Sequence, residues 1–146
     1  MRLDQGPTAS FKDFAGRMMG RLMSYYLAKE NRELLILTAT SGDTGSAALA
    51  GFGQDKNNKV IVLYPTIGVS EFQELQMNSY QSDNLKIFAV NGNFDDCQAL
   101  VKQMFNDSKF RKSVNLTGVN SINWARVMSQ IVYYFTAATA LGAPKR

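Results

Sequence analysis

The sequence predicts an α/β fold: an open, mainly parallel four-stranded sheet flanked by helices. Two observations carry that prediction. Four apolar runs, at 34–39, 60–64, 85–90 and, more weakly, 113–117, recur at intervals that leave room for one helix in each gap. The segments between them, and those at either end, repeat apolar residues at helical rather than strand spacing.

Each element has its own justification. Ahead of the first run, Phe14, Met18, Met19, Leu22, Met23, Tyr26 and Leu27 mark one face of an amphipathic helix. The runs 34–39 and 60–64 are nearly continuous in apolar character, as strands covered on both faces are. Ser70 followed by Gln73 makes a capping-box start for a helix through Tyr80. After Asn93, the positions Cys97, Leu100, Val101, Met104 and Phe105 form a helical stripe. Behind the last run, Val127, Ile131, Tyr134, Phe135 and Ala138 form another. Helix followed by four strand–helix units is the order of a parallel sheet with crossover helices. Ligands in such sheets bind outside the carboxyl ends of the strands, so the loops after residues 39, 64, 90 and 117 are the places to look.

Composition narrows the chemistry. With 45% hydrophobic and 19% charged residues the 146-residue chain reads as an ordinary globular sequence with volume for one core. No apolar stretch reaches bilayer length, and Arg2 and Asp4 stand where a signal peptide would have its apolar core, so no membrane partner is expected. The single cysteine, Cys97, excludes an internal disulfide and fits a reducing, cytoplasmic setting. There is no histidine, which removes Ser-His-Asp and Cys-His catalysis and most zinc sites from this chain. The net charge of +4 favours anionic partners. The basic residues are scattered without an aromatic-interleaved stripe, so no nucleic acid is expected among those partners.

Three segments carry candidate chemistry. In the loop of Thr40, Ser41, Gly42, Asp43, Thr44, Gly45 and Ser46, small residues lead from a strand into a helix, where unpaired N–H groups favour an anion. Asp43 suits a cationic or hydroxylic neighbour, while Ser41 and Thr44 suit a carboxylate; a plain capped turn is the competing explanation. In Gly6-Pro7-Thr8-Ala9-Ser10-Phe11-Lys12-Asp13-Phe14, Ser10 or Asp13 is placed to cap a helix. Lys12 between two phenylalanines is placed to act as a nucleophilic amine, unless it merely snorkels at the surface. In Asn120-Ser121-Ile122-Asn123-Trp124-Ala125-Arg126, Ser121 and Asn123 are natural caps. Arg126 in the first turn suits a phosphate dianion, a surface ion pair being the alternative. Trp124 is expected to pack rather than to stack on a ligand.

Together and in this order, GPTASFKDFAGR, LTATSGDTGSAA and NSINWARVMSQIVYYF resemble the threonine synthase family, pyridoxal-phosphate (PLP) enzymes of fold type II. KVIVLYPTIGVSEFQELQM and VNGNFDDCQALVKQMF resemble that family's intervening segments, so the likeness runs along essentially the whole chain. The resemblance implies that Lys12 carries PLP and acts as the catalytic base, and that Asp43 lies beside the cofactor's 3′ oxygen. It implies that Ser41 and Thr44 help bind the substrate, and that Ser121 and Arg126 hold the phosphate of O-phosphohomoserine. It also implies an arrangement in which 1–32 is the lysine-bearing segment of a large domain, 33–118 a small βα domain, and 119–146 a helix leading back. Gln5 stands where the family often has histidine. The family's Gly-Asn-rich loop for the PLP phosphate and its partner for the pyridine nitrogen have no counterpart here, so the chain is expected to be a central fragment. Its isolated activity is expected to be little or none, with self-association through surface that the remainder would cover. From outside this class, a non-catalytic doubly wound module binding a phosphorylated ligand through the 41–46 turn explains the pattern and charge but gives Lys12 no task.

Overall fold

The structure, a computed structural model, describes residues 1–120 and 123–143. In chain order the elements are α1 (Lys12–Glu30), β1 (Leu34–Ala39), α2 (Asp43–Phe52), β2 (Asn58–Pro65), α3 (Glu71–Asn78) and β3 (Leu85–Val90). They continue with α4 (Phe94–Asn106), α5 (Ser108–Ser113), β4 (Leu116–Thr117) and α6 (Trp124–Ala140). The four strands make one sheet in the order β3-β2-β1-β4, and every pairing is parallel. This is the fold class that the apolar runs and their spacing predicted.

Local caps account for most of the boundaries. Ser70 and Asn93 each complete a capping box, with Gln73 and Asp96 respectively, and so start α3 and α4. The weak run at 113–117 contributes a strand only at Leu116 and Thr117. Asp107 explains the loss: its Oδ1 accepts from the N–H groups of Lys109 and Phe110, both at 3.0 Å, and starts an extra helix, α5, that the sequence pattern did not announce. Asn115, at φ 50°, then turns the chain into the strand. The segment from Ser70 also stops short of Tyr80, at Asn78.

Alternation along the strands builds two cores. Ile36, Val60, Val62 and Tyr64 face Leu49 and Phe52 of α2, Met77 of α3 and Met19 of α1. Leu37, Leu63 and Leu116 face Cys97, Val101 and Met104 of α4 on the opposite side. Adjacent residues of one strand thus serve opposite faces, which is why β1 and β2 are apolar throughout. Phe52, only 2% exposed, contributes about 2–3 kcal/mol of burial on its own.

Glycines bring α1 against α2. A Cβ on Gly51 would lie 2.6 Å from the backbone C and O of Gly16, and one on Gly16 would lie 3.0 Å from the Ala47 carbonyl oxygen. Gly20 abuts the Gly51 carbonyl still more tightly. The pairs Gly16–Ala47 and Gly20–Gly51 repeat the separation of 31 residues found between Lys12 and Asp43. The two helices therefore run side by side in the same direction, with their N-termini together.

Candidate functional site

The sheet reverses its winding between β1 and β4. From β1 the chain moves outward through β2 to β3, then returns across the other face by α4 and α5 to place β4 on the far side of β1. At the carboxyl ends of these two strands, where such a crevice is expected, lies a cavity of about 580 Å³. That is a ligand-sized volume. Thr38 and Ala39 of β1, residues 118–120 after β4, and side chains from α1, α2, α4 and α6 form its walls. Lys12, Lys102 and Arg126 line it, and no carboxylate does among the described residues.

Lys12 owes its position to the loop before it. The buried Asp13 carboxylate accepts from Thr8 N at 2.9 Å, Thr8 Oγ1 at 2.6 Å and Ser10 N at 3.3 Å. Ser10 Oγ in turn accepts from the Lys12 N–H at 3.3 Å. Thus Ser10 acts on the helix amide, whereas Asp13 reaches back to tie down the approach. Tyr133 of α6 donates its hydroxyl to the Phe11 carbonyl oxygen, fastening the same loop from the other side. The Lys12 side chain is 18% exposed, and its Nζ sits 5.2 Å from the centre of the Phe11 ring. It also lies 3.2 Å from Asp43 Oδ2, so its surroundings combine an aromatic face with an ion pair.

Asp43 is the first residue of α2. Gln73 of α3 donates from Nε2 to its other oxygen, Oδ1, at 2.9 Å. That hydrogen bond holds the Asp43 carboxyl below its ordinary pKa, with burial opposing it and the Lys12 ammonium reinforcing it. The loop ahead of Asp43 turns on Thr40, almost fully buried, whose Oγ1 accepts from both Gly42 N and Gly45 N at 2.9 Å. Gly42 adopts φ 139° with the Gln73 side chain packed where a Cβ would stand, so glycine is required there. Thr44 is half-buried and lines the cavity; Ser41 is exposed on the loop.

On the opposite wall Asn123 caps α6, its Oδ1 accepting from Ala125 N at 3.1 Å while its Nδ2 donates to the Gly118 carbonyl at 3.1 Å. One turn further, Arg126 is 7% exposed and donates from Nη1 to the Val119 carbonyl oxygen at 3.0 Å. No carboxylate pairs with it among the described residues, so the surface ion pair is not formed. Burial pushes its pKa down from the ordinary guanidinium value. Trp124, the first residue of α6, is 71% exposed and does not pack as expected. Ser121, the remaining candidate, lies outside the described residues.

The structure thus brings Lys12, Thr44 and Arg126 to one crevice from three separate stretches of chain, with Asp43 against Lys12 beside it; Ser41 is not among the lining residues. Sequence reasoning gives Thr40 and Gln73 no part in the site's chemistry and passes over Gln130 and Lys102. From the sequence Gln73 is legible only as a capping residue; its second contact, with Asp43, crosses 30 residues and leaves no local signal.

Comparison with known proteins gives the arrangement its family. A family described as pyridoxal-phosphate dependent enzyme matches residues 2–145. The chain belongs to that family. Among its relatives, threonine synthase of Pseudomonas aeruginosa is 51% identical over 146 residues, covering all of this chain and 31% of the relative. A crystal structure of PLP-bound threonine synthase from Brucella melitensis superposes with a TM-score of 0.90 at 51% identity, over 99% of this chain and 31% of that one. Threonine synthase from Escherichia coli gives 0.87 at 41% identity, over 99% of this chain and 33% of that one. The resemblance seen in FKDF, SGDTG and NSINWAR is therefore borne out, and with it PLP as the family's cofactor. The chain spans about a third of the length of these relatives.

The residues present fit that cofactor. A primary amine, Lys12, opens into a ligand-sized cavity whose charged lining is wholly cationic, and a carboxylate, Asp43, stands beside the amine to receive a hydroxyl or a cation.

Proposed function

We propose that this chain is the lysine-bearing part of a threonine synthase, a lyase that converts O-phosphohomoserine and water to threonine and phosphate. One observation carries the reading: the Lys12 amine and the buried, carboxylate-free Arg126 guanidinium face one cavity. PLP, when bound, supplies an electron sink for the carbanion chemistry. Lys12 would hold the cofactor through its amine and would move protons at the substrate's Cα and Cβ. Asp43, kept ionised by Gln73, orients the Lys12 ammonium and would stand beside the cofactor's 3′ oxygen. Arg126, with Ser121 by family likeness, receives the leaving phosphate; Thr44 and Ser41 hold the substrate's carboxylate at the start of α2.

In this reading 1–32 and 119–146 belong to a larger domain of the full enzyme and 33–118 to a smaller one, in the cytoplasm. The exposed apolar residues of α1 and α6, among them Phe14, Met18, Met128 and Phe135, then face the rest of the enzyme, and the 146-residue chain alone self-associates through them with little or no turnover. Among the described residues no helix is long and apolar enough to cross a membrane.

The test is to incubate the protein with PLP, reduce with borohydride and map the modified lysine by peptide mass spectrometry. Selective labelling of Lys12 at low PLP, lost in Lys12→Ala, is the expected result. Label spread over several lysines would refute a PLP site in this chain and leave the phosphoryl-binding module as its function.

A further inference from the structure

Among the described residues, three buried side-chain polar atoms lack a hydrogen-bond partner: Ser46 Oγ, Asn58 Oδ1 and Gln130 Nε2. Of these residues only Gln130 lines the cavity that holds Lys12 and Arg126. Gln130 stands four residues after Arg126 on α6, and positions four apart share one helix face. Two side chains therefore line the crevice from successive turns of one helix: a guanidinium without a carboxylate, and a glutamine whose buried amide N–H₂ lacks an acceptor. A buried donor with no acceptor destabilises the fold unless something supplies one. No carboxylate among the described residues lines the cavity to serve as that acceptor, and an anionic ligand there would supply one.

We propose that Gln130 is a specificity-determining residue of this site, its side-chain amide donating to the same phosphate-monoester dianion that Arg126 attracts. The proposal rests on the reading of Arg126 as the anion receptor. An amide donor adds direction without charge. It favours an anion with several acceptor oxygens, reachable from both turns at once, over a planar carboxylate that Arg126 alone would satisfy. Both the cofactor's own phosphate and a phosphorylated substrate present that chemistry.

The probe is inorganic phosphate, titrated into ¹⁵N-labelled protein at neutral to slightly alkaline pH, with affinity read from ¹H–¹⁵N spectra. The Gln130 side-chain amide, identified by its disappearance in Gln130→Leu, is expected to shift with the same Kd as the bulk of the response. Gln130→Leu is expected to weaken phosphate about tenfold, and Gln130→Glu to weaken it further by repulsion. Thermal unfolding without phosphate separates ligand binding from a structural role. Because the orphan donor is removed, Gln130→Leu is expected to melt no lower than the parent. A Gln130→Leu protein that binds phosphate within twofold of the parent, or one that melts lower with its phosphate affinity unchanged, overturns the proposal. Repeating the titration on protein reduced with PLP at Lys12 assigns the source. Retained binding means a substrate phosphate uses the site, and lost binding means the cofactor's phosphate does; both keep Gln130 as the donor. Failure of PLP to label Lys12 while Gln130 still governs phosphate would sink the threonine synthase reading and leave this one standing.

Discussion

Replacing Gly51 by alanine tests whether the packing of α1 on α2 sets the geometry of the site. The new Cβ would fall 2.6 Å from the C and O of Gly16 and 3.1 Å from Arg17 N, all backbone atoms that cannot rotate away. An ordinary carbon contact needs about 3.5–4.0 Å, so the helices must part by about 1 Å. Overpacking of this kind costs about 1–3 kcal/mol, and a clash with backbone belongs at the upper end. Alanine returns about 1 kcal/mol of helix propensity, for a net loss of about 2 kcal/mol. Because α1 and α2 run in the same direction, parting them also lengthens the 3.2 Å contact between Lys12 and Asp43 at their shared N-terminal end. Urea unfolding measures the first effect, and the PLP concentration needed to label Lys12 measures the second. Gly16→Ala, where the nearest atom is 3.0 Å away, is the milder companion and should show a smaller loss in both. A Gly51→Ala protein with parental stability and parental Lys12 labelling would refute the claim that this glycine contact positions the lysine.

Asp13→Ala strips the acceptor from Thr8 N, Thr8 Oγ1 and Ser10 N; with buried donors left unpaired it should cost about 2–4 kcal/mol in a urea titration and also impair Lys12 labelling. Arg126→Ala should weaken inorganic phosphate by at least about tenfold in calorimetry, and an unchanged affinity would remove Arg126 from the anion site. On the alkaline side, burial raises the pKa of Cys97, Tyr64, Tyr80 and Tyr133, reinforced at Cys97 by Asp96 and at Tyr64 by its hydrogen bond to Glu74. The folded state therefore holds these protons more tightly than the unfolded chain. That contribution is complete below the ordinary values of 9.0 for the thiol and 10.0 for the phenols, and is lost as pH rises through the folded values. The urea midpoint should accordingly fall between pH 8 and pH 10.5, and a midpoint that stays level would contradict the shared direction of these shifts.

What could be read from the chain alone was local. The capping box at Ser70 closes over three residues, and the apolar runs at 34–39, 60–64 and 85–90 declare themselves within five or six. The run at 113–117 yields a strand only at Leu116 and Thr117, because α5, capped by Asp107, extends through Ser113 and Asn115 turns the chain at positive φ. The candidates Lys12, Asp43 and Arg126 were legible as residue types at helix starts, and the family followed from three motifs in order. Their convergence was not legible, because it depends on contacts that span the fold. Lys12 meets Asp43 across 31 residues, Gln73 meets Asp43 across 30, and Tyr133 meets Phe11 across 122. Burial of Arg126 without a carboxylate, and of the Gln130 amide without an acceptor, likewise belongs to the assembled fold. The sequence by itself determined the alternation of strands and helices and the chemical groups available, since propensity, periodicity and caps act over a few residues. Only the tertiary structure decided which groups share a cavity, because neighbourhood and desolvation arise when the sheet reverses at β1 and the glycine-packed helices bring their N-termini together.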